Sequence, residues 1–248
     1  MRLVFSDARV WKYAIASISN IIEEASFIIN SEGLKLRSLD PSKVVLVDYT
    51  IPHTGFEEFE VDGEVIVGVN LSDLSRVLKR STKSDRLELS IVDSGRFVVA
   101  LVGRGVRRFT LPSIQPSIEQ VPELSIQFKA RARMVSAVFR DIVSELEVIG
   151  DAVEFITKPS ERKLIARTTS DLGEAELELS EERGMLLEFS ADSEERSSYS
   201  IDYLSNIAVA SQAADEALLE YATAIPCRIE FTLPEGGRLT FYVAPRTE

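Results

Sequence analysis

Between Val10 and Ile22, apolar side chains fall at Val10, Ala14, Ile15, Ile18, Ile21 and Ile22. This stripe has the 3.6-residue period of an amphipathic helix, and Asp7 just ahead of it offers an N-cap. Leu3 to Phe5 before it, and most of the chain beyond it, alternates with period two instead. SFIIN and LKLRSL flank a Glu32-Gly33 turn, Val44 to Ile51 comes after an Asp40-Pro41-Ser42 turn, and two shorter strands are predicted about Asp62-Gly63. A second helix is predicted in LSDLSRVLKRSTK, capped by Asn70 or Ser72, with strands after it in RLELSIVD, RFVVALVG and RRFTLP.

Leu111 to Phe128 fits neither period. It carries Pro112, Pro116 and Pro122, no glycine, and apolar residues at Ile114, Ile118, Val121 and Leu124. Proline fixes φ and removes a backbone donor, so this stretch is expected to be a stiff, extended tether lying across a surface. Past it the plan of the first half recurs. A short strand at Gln127-Phe128, a helix from Arg131 to Glu147, and strands in AVEFIT, KLIARTT, EAELEL and MLLEFS are predicted. A helix over Ser200 to Ala214 and strands in LLEYA, CRIEFTL and RLTFYVA complete the second half.

The repeated order implies an internal duplication: an N-terminal domain over 1–113, a connecting loop over 114–125 and a C-terminal domain over 126–248. Two helices per half cannot cover both faces of so many strands. An α+β fold of antiparallel sheets with the four helices gathered on one surface is the natural solution.

Composition narrows the chemistry. At 248 residues and 45% hydrophobic content, either one large core or two smaller ones is possible. No apolar stretch is long enough to span a bilayer and MRLVFSDARVWK has no signal-peptide core, so a soluble, cytoplasmic protein without membrane contact is expected. A single cysteine, Cys227, excludes internal disulfides. With one histidine, His53, a histidine-centred zinc or catalytic site is disfavoured, and neither residue is given a role. Four Asn, four Gln and 27% charged residues suggest a hot habitat.

The net charge of −12 is unevenly placed: residues 1–113 hold 15 basic and 15 acidic side chains, and residues 114–248 hold 13 and 25. Against that background the predicted helices carry compact cations: Arg9 and Lys12 on the first, Arg76, Lys79, Arg80 and Lys83 on the second, Arg131, Arg133 and Arg140 on the third. Helical cations with almost no interleaved aromatics suit sequence-independent contact with duplex phosphates, although solvated helix faces look the same. The fourth helix has neither Lys nor Arg. Arg104, Arg107 and Arg108 on one candidate strand and Glu174, Glu176 and Glu178 on another suggest a head-to-tail contact between copies or relatives of this chain. Protection of strand edges is the alternative.

SLDPSKVVLVDYTI after the first helix, VPEL in the tether, EVIGDAVEF after the third helix and the terminal FYVAP resemble the sliding clamps of archaeal and eukaryotic replication, the proliferating cell nuclear antigen family. The resemblance runs in order along essentially the whole chain. It implies a ring of three subunits with sheets outside and helices lining a hole around duplex DNA. It implies no enzymatic activity and no cofactor, but tethering of DNA polymerase, flap nuclease and ligase, with an ATP-driven clamp loader to open the ring.

Residue by residue, the resemblance places a partner pocket at Leu39, Val44, Leu46, Pro226, Tyr242 and Ala244, with Ile118 and Val121 on the tether's side. DNA contact would fall on Lys12, Arg76, Lys79 and Arg140, with Arg80, Lys83 and Arg133 added from spacing. The bare fourth helix departs from the family. Because some archaea mix clamp subunits, a heterotrimer stands beside the homotrimer.

Two other readings stay open. Asp151, Glu161 and Lys163 have the loose spacing of a Mg²⁺-dependent nuclease, in which two carboxylates hold the ion and the lysine assists water. A monomeric protein-binding scaffold would keep the pocket and make the helix charges incidental.

Overall fold

The computed structural model describes residues 1–92, 96–116, 121 and 124–246. The first half runs β1 (Arg2–Phe5), α1 (Ala8–Ser19), β2 (Glu24–Asn30), β3 (Gly33–Leu39), β4 (Val45–Pro52), β5 (Glu58–Glu60), β6 (Val65–Asn70), α2 (Leu71–Leu78), β7 (Arg86–Val92), β8 (Arg96–Val102) and β9 (Val106–Pro112). The second repeats it element for element. It runs β10 (Ala130–Val135), α3 (Ser136–Leu146), β11 (Ala152–Lys158), β12 (Lys163–Ser170), β13 (Gly173–Ser180), β14 (Glu188–Ala191), β15 (Arg196–Ser200), α4 (Ile201–Ala208), β16 (Glu216–Tyr221), β17 (Cys227–Thr232) and β18 (Arg238–Val243).

All ladders are antiparallel, as the α+β expectation requires. Five strands form the sheet β5-β1-β7-β8-β9 and four form β13-β12-β11-β15. The remaining nine make one sheet, β14-β10-β16-β17-β18-β4-β3-β2-β6, in which β18 of the second half pairs with β4 of the first. One continuous sheet therefore joins the halves. α1 packs on α2 and α4, and α3 on α4, so the helices form a single layer.

Each helix is held by its stripe. On α1, Asp7 caps by accepting from Arg9 N at 2.9 Å, and Trp11, Ala14, Ile15 and Ile18 are fully buried. Trp11 meets Phe5, Phe27 and Tyr49 at ring distances of 5.7–6.4 Å, knitting helix to sheet. In the second half Phe139 of α3 packs edge-on against Phe231 of β17. Of the two candidate caps of α2, Asn70 accepts from Asp73 N at 2.9 Å. The beginning of the tether crosses the edge strand β6 through a bridge between Gly68 and Ile114. A Cβ at Gly68 would stand 2.6 Å from Ile114 O, so only glycine admits this approach.

Several boundaries differ from expectation. The third helix begins at Ser136, not Arg131, because ARARMV is a central strand paired on both sides, with β14 and β16. Ala130, Ala132 and Met134 face the core and Arg131 and Arg133 face away. Gln127-Phe128 lies outside that strand. MLLEFS contributes only its end to β14. β15, which contains polar RSSYS, was not anticipated; it pairs with β11 and buries Tyr199. α2 ends at Leu78, placing Lys79, Arg80 and Lys83 in the turns beyond it. The fourth helix is α over Ile201–Ala208 and tightens to a 3-10 turn over Val209–Gln212.

Candidate functional site

Three surfaces gather the residues singled out by sequence. On the helix layer, Arg76 is 78% exposed and bridges Asp73 at 3.2 Å, and Lys79, Arg80 and Lys83 are exposed just past the C-terminal end of α2, where the helix dipole favours cations. Lys12 is half-buried, its Nζ 5.3 Å from the Tyr13 ring centroid. Arg140 on α3 is exposed and paired with Asp141 at 3.1 Å. Arg133 does not belong to this layer. It stands on β10, on the sheet face turned away from the helices, and binds Glu188 at 3.1 Å and Glu216 at 3.4 Å. α4 offers Asp202 and no cation, so the exposed cations past α2 dominate the layer.

The second surface is the outer face of the nine-stranded sheet. Strand register puts Leu39 of β3, Leu46 of β4 and Tyr242 of β18 side by side in one row. Val47 and Phe241, next to them along β4 and β18, point inward to the core, as does Leu36 of β3. Leu46 is only 3% exposed although it lies on this outer face, so it forms a floor, and half-buried Leu39 and Tyr242 form the walls. Val44 O accepts from Ala244 N at 2.8 Å, which brings those residues together at the end of the row. Pro226, half-buried, immediately precedes β17 beside the row.

A cavity of about 580 Å³ opens next to the row, lined by Leu39 and Val121 of the expected set together with Ile22, Asp40, Pro41 and Lys43, which sequence reasoning did not assign to the pocket. Ile118 lies outside the described residues. Sequence reasoning also missed Arg228, which is next to Tyr242 in register. Arg228 bridges Glu220 at 2.9 Å, lies 3.8 Å from Glu230, and has the Phe128 ring 5.9 Å away. Its period-2 position opposite the pocket row was the available signal.

The third surface is made of open strand edges. β9 and β13 end their sheets, and their counterparts in the duplicated order are β18 and β4, which pair with each other inside the chain. Arg108 lies on β9 and Glu176 on β13, but the expected strand-borne sets need correction. Arg104 is in the turn ahead of β9. Arg107 is turned back to the Asp85 carboxylate, 2.5 Å away, and donates to Arg80 O at 2.9 Å. Asp85 is 2% exposed. Burial pushes its carboxyl up, but hydrogen bonds from Arg107 and Thr82 outweigh this and hold it below the ordinary carboxylate range. Glu174 lies 3.6 Å from Arg167, and Glu178 is paired with Lys163 at 3.2 Å.

The nuclease triad does not assemble. Asp151 precedes β11 and Glu161 comes after it, so the full strand, about 23 Å, separates them. Asp151 is paired with Arg246 at 3.1 Å and Glu161 with Lys163 at 3.0 Å. Among the described residues no group of three or more His, Cys, Asp or Glu is placed to hold a metal ion. The His53 ring packs 6.3 Å from that of Phe59, and Cys227 is buried, which pushes its thiol up and leaves it inert. No helix is long and apolar enough to cross a membrane among the described residues.

Residues 1–105 match the family model "Proliferating cell nuclear antigen, N-terminal domain" and residues 120–246 match the corresponding C-terminal domain. The chain is 42% identical to DNA polymerase sliding clamp 3 of Aeropyrum pernix, over 100% of this chain and 98% of that protein. It is 37% identical to the DNA polymerase sliding clamp of Thermofilum pendens, over the whole of both. Among solved structures, a PCNA2–PCNA3 complex from Sulfolobus tokodaii superposes with a TM-score of 0.94 at 36% identity, covering all of both chains.

Proposed function

The chain belongs to the proliferating cell nuclear antigen family and is a DNA polymerase sliding clamp, and from that premise we propose how its three surfaces divide the work. The observation that carries the proposal is the β18–β4 junction. The chain is a duplicated unit whose copies join there by one antiparallel edge, and β9 and β13 are the same two edges left open at its ends. Repeating that junction from chain to chain is a head-to-tail contact, and a ring of three clamp subunits closes it. Arg104 and Arg108 at one edge and Glu176 at the other give it matching charge, while Arg107, Glu174 and Glu178 are engaged within the chain.

In such a ring the single helix layer lines the hole. Lys12, Arg76, Lys79, Arg80, Lys83 and Arg140 meet duplex phosphates without reading sequence. Arg133 has no part in this, since it belongs to the opposite face. The Leu39–Leu46–Tyr242 row, with Val44, Pro226, Ala244, Val121 and Ile118, receives the aromatic and aliphatic anchors of a partner's short motif. DNA polymerase, flap nuclease and ligase are the partners of this site, and a clamp loader opens the ring. The chain acts by holding them to DNA and has no catalytic role. Because α4 lacks any cation and the solved relative at TM-score 0.94 is a complex of two different clamp subunits, sister subunits complete the ring.

The solution mass tests this. The chain alone is expected to remain near 27.6 kDa and to enter a complex of about 83 kDa, three times that mass, when sister subunits of the same cell are added. A stable species of about 83 kDa formed by this chain alone would show a self-sufficient homotrimer and overturn the requirement for sisters. Failure to join any complex would overturn the ring.

A further inference from the structure

Four residues along each strand from the apolar row, the same sheet face carries a second row. Leu39 leads to Lys35, Leu46 to Thr50 and Tyr242 to Arg238, and register places Lys35 and Arg238 on either side of Thr50. The two rows are therefore parallel, about 13 Å apart. Between them Arg37 is paired with Asp48 at 3.2 Å, and Thr240 lies 3.4 Å from Glu230. The outer row differs. Lys35 and Arg238 are both exposed and have no carboxylate partner among the described residues, in a chain of net charge −12.

They flank a cavity of about 410 Å³, lined also by Ile28, Asn30, Glu32 and Thr50. Asn30 Oδ1 accepts from Glu32 N at 3.0 Å, so its amide is held at the rim. Glu32 is the acidic side chain of the lining, so the two cations outweigh it by one charge.

We propose that Lys35, Thr50 and Arg238 form a second docking point, which takes an acidic stretch of the same partner polypeptide whose anchor fills the Leu39–Leu46–Tyr242 row. This rests on the pocket reading above and deepens it: partners of this chain would carry carboxylates about four extended residues from the anchor. Two observations select this occupant. The cationic row continues the pocket on one sheet face at a spacing that one extended segment covers. An acidic segment is also repelled by most of this molecule, so it gains only where cations without partners await it.

The test uses the full chain and three fluorescein-labelled synthetic peptides: an aromatic-aliphatic anchor motif with neutral flanks, and the same motif with three glutamates placed four residues before it or four after it. Binding is followed by anisotropy at low salt. One of the acidic peptides is expected to bind about fivefold more tightly than the neutral one, the gain that two exposed ion pairs supply. The double variant Lys35→Ala, Arg238→Ala should erase that gain and leave the neutral peptide's affinity unchanged, which also verifies that the variant is folded. If the neutral peptide binds and neither acidic peptide gains, or the gain survives the double variant, this proposal is overturned and the pocket stands. If the neutral peptide fails to bind, the pocket reading falls, and this proposal with it.

Discussion

The hydroxyl of Tyr203 on α4 donates to the Asp40 carboxylate, 3.2 Å away in the turn between β3 and β4, linking the second half of the chain to the first. Asp40 is 4% exposed and also accepts from Val44 N and Val45 N at 2.7 Å and from Ser42 N at 3.0 Å. One carboxylate thus shapes the turn that lines the pocket cavity and ties it to a helix of the other half. Tyr203→Phe is expected to cost about 1 kcal/mol, the value of one hydrogen bond. Asp40→Ala strands three backbone N–H groups and should cost about 3 kcal/mol. Urea denaturation of the two variants checks the order, and equal losses would show that the turn does not depend on Asp40.

Tyr242→Ala removes a wall of the apolar row while Phe241 and Val243, which face the core, keep β18 in place. Peptides carrying the anchor motif should bind at least about tenfold more weakly, as for a buried aromatic contact. The mass of the assembled ring should not change. Unaltered affinity would place the pocket elsewhere.

Lys79 and Arg80 are exposed beyond the end of α2. If both meet duplex phosphates as proposed, replacing them by alanine should lower the slope of log affinity for duplex DNA against log salt by about two units. Binding of the anchor peptide should be unaffected. An unchanged salt slope would show that these cations do not face DNA.

Asp85 gives an acid limit to stability. Its folded-state pKa is held down by Arg107 and Thr82, so its contribution is complete above the ordinary carboxyl range and is lost as pH falls through the depressed folded value. Arg107→Met raises that folded value, and acid unfolding should therefore begin at higher pH than in the parent chain. Because the Arg107 side chain is 41% exposed, the loss at neutral pH is expected to be about 2 kcal/mol and not that of a fully buried pair. Circular dichroism across an acid titration would show both effects, and a coincident pair of curves would contradict them.

Much of this architecture was legible in the chain. The Val10–Ile18 stripe, the hairpin turns and the repeated order of elements depend on local periodicity and backbone restrictions, which neighbouring residues impose. Local pattern failed where two periods compete. ARARMV can be scanned into a helix, but pairing on both sides makes it a central strand, and Arg133 leaves the helix layer as a result. RSSYS looks polar from its arginine and three serines, yet its pairing with β11 buries the face carrying Ser197 and Tyr199.

The sequence by itself determined the fold class, the duplication and the family, and it marked cations near the helices, an apolar set of strand residues and charged strands. Only the tertiary structure decided which residues act together. Lys35 and Arg238 come to flank Thr50, Leu46 meets Tyr242 and Asp40 meets Tyr203 through the β18–β4 junction and the helix layer. Arg107 is drawn from the open edge to a buried aspartate. These juxtapositions join residues far apart along the chain. Hydrogen bonding across strands and burial of a shared core set them, and neither leaves a local mark in the order of residues.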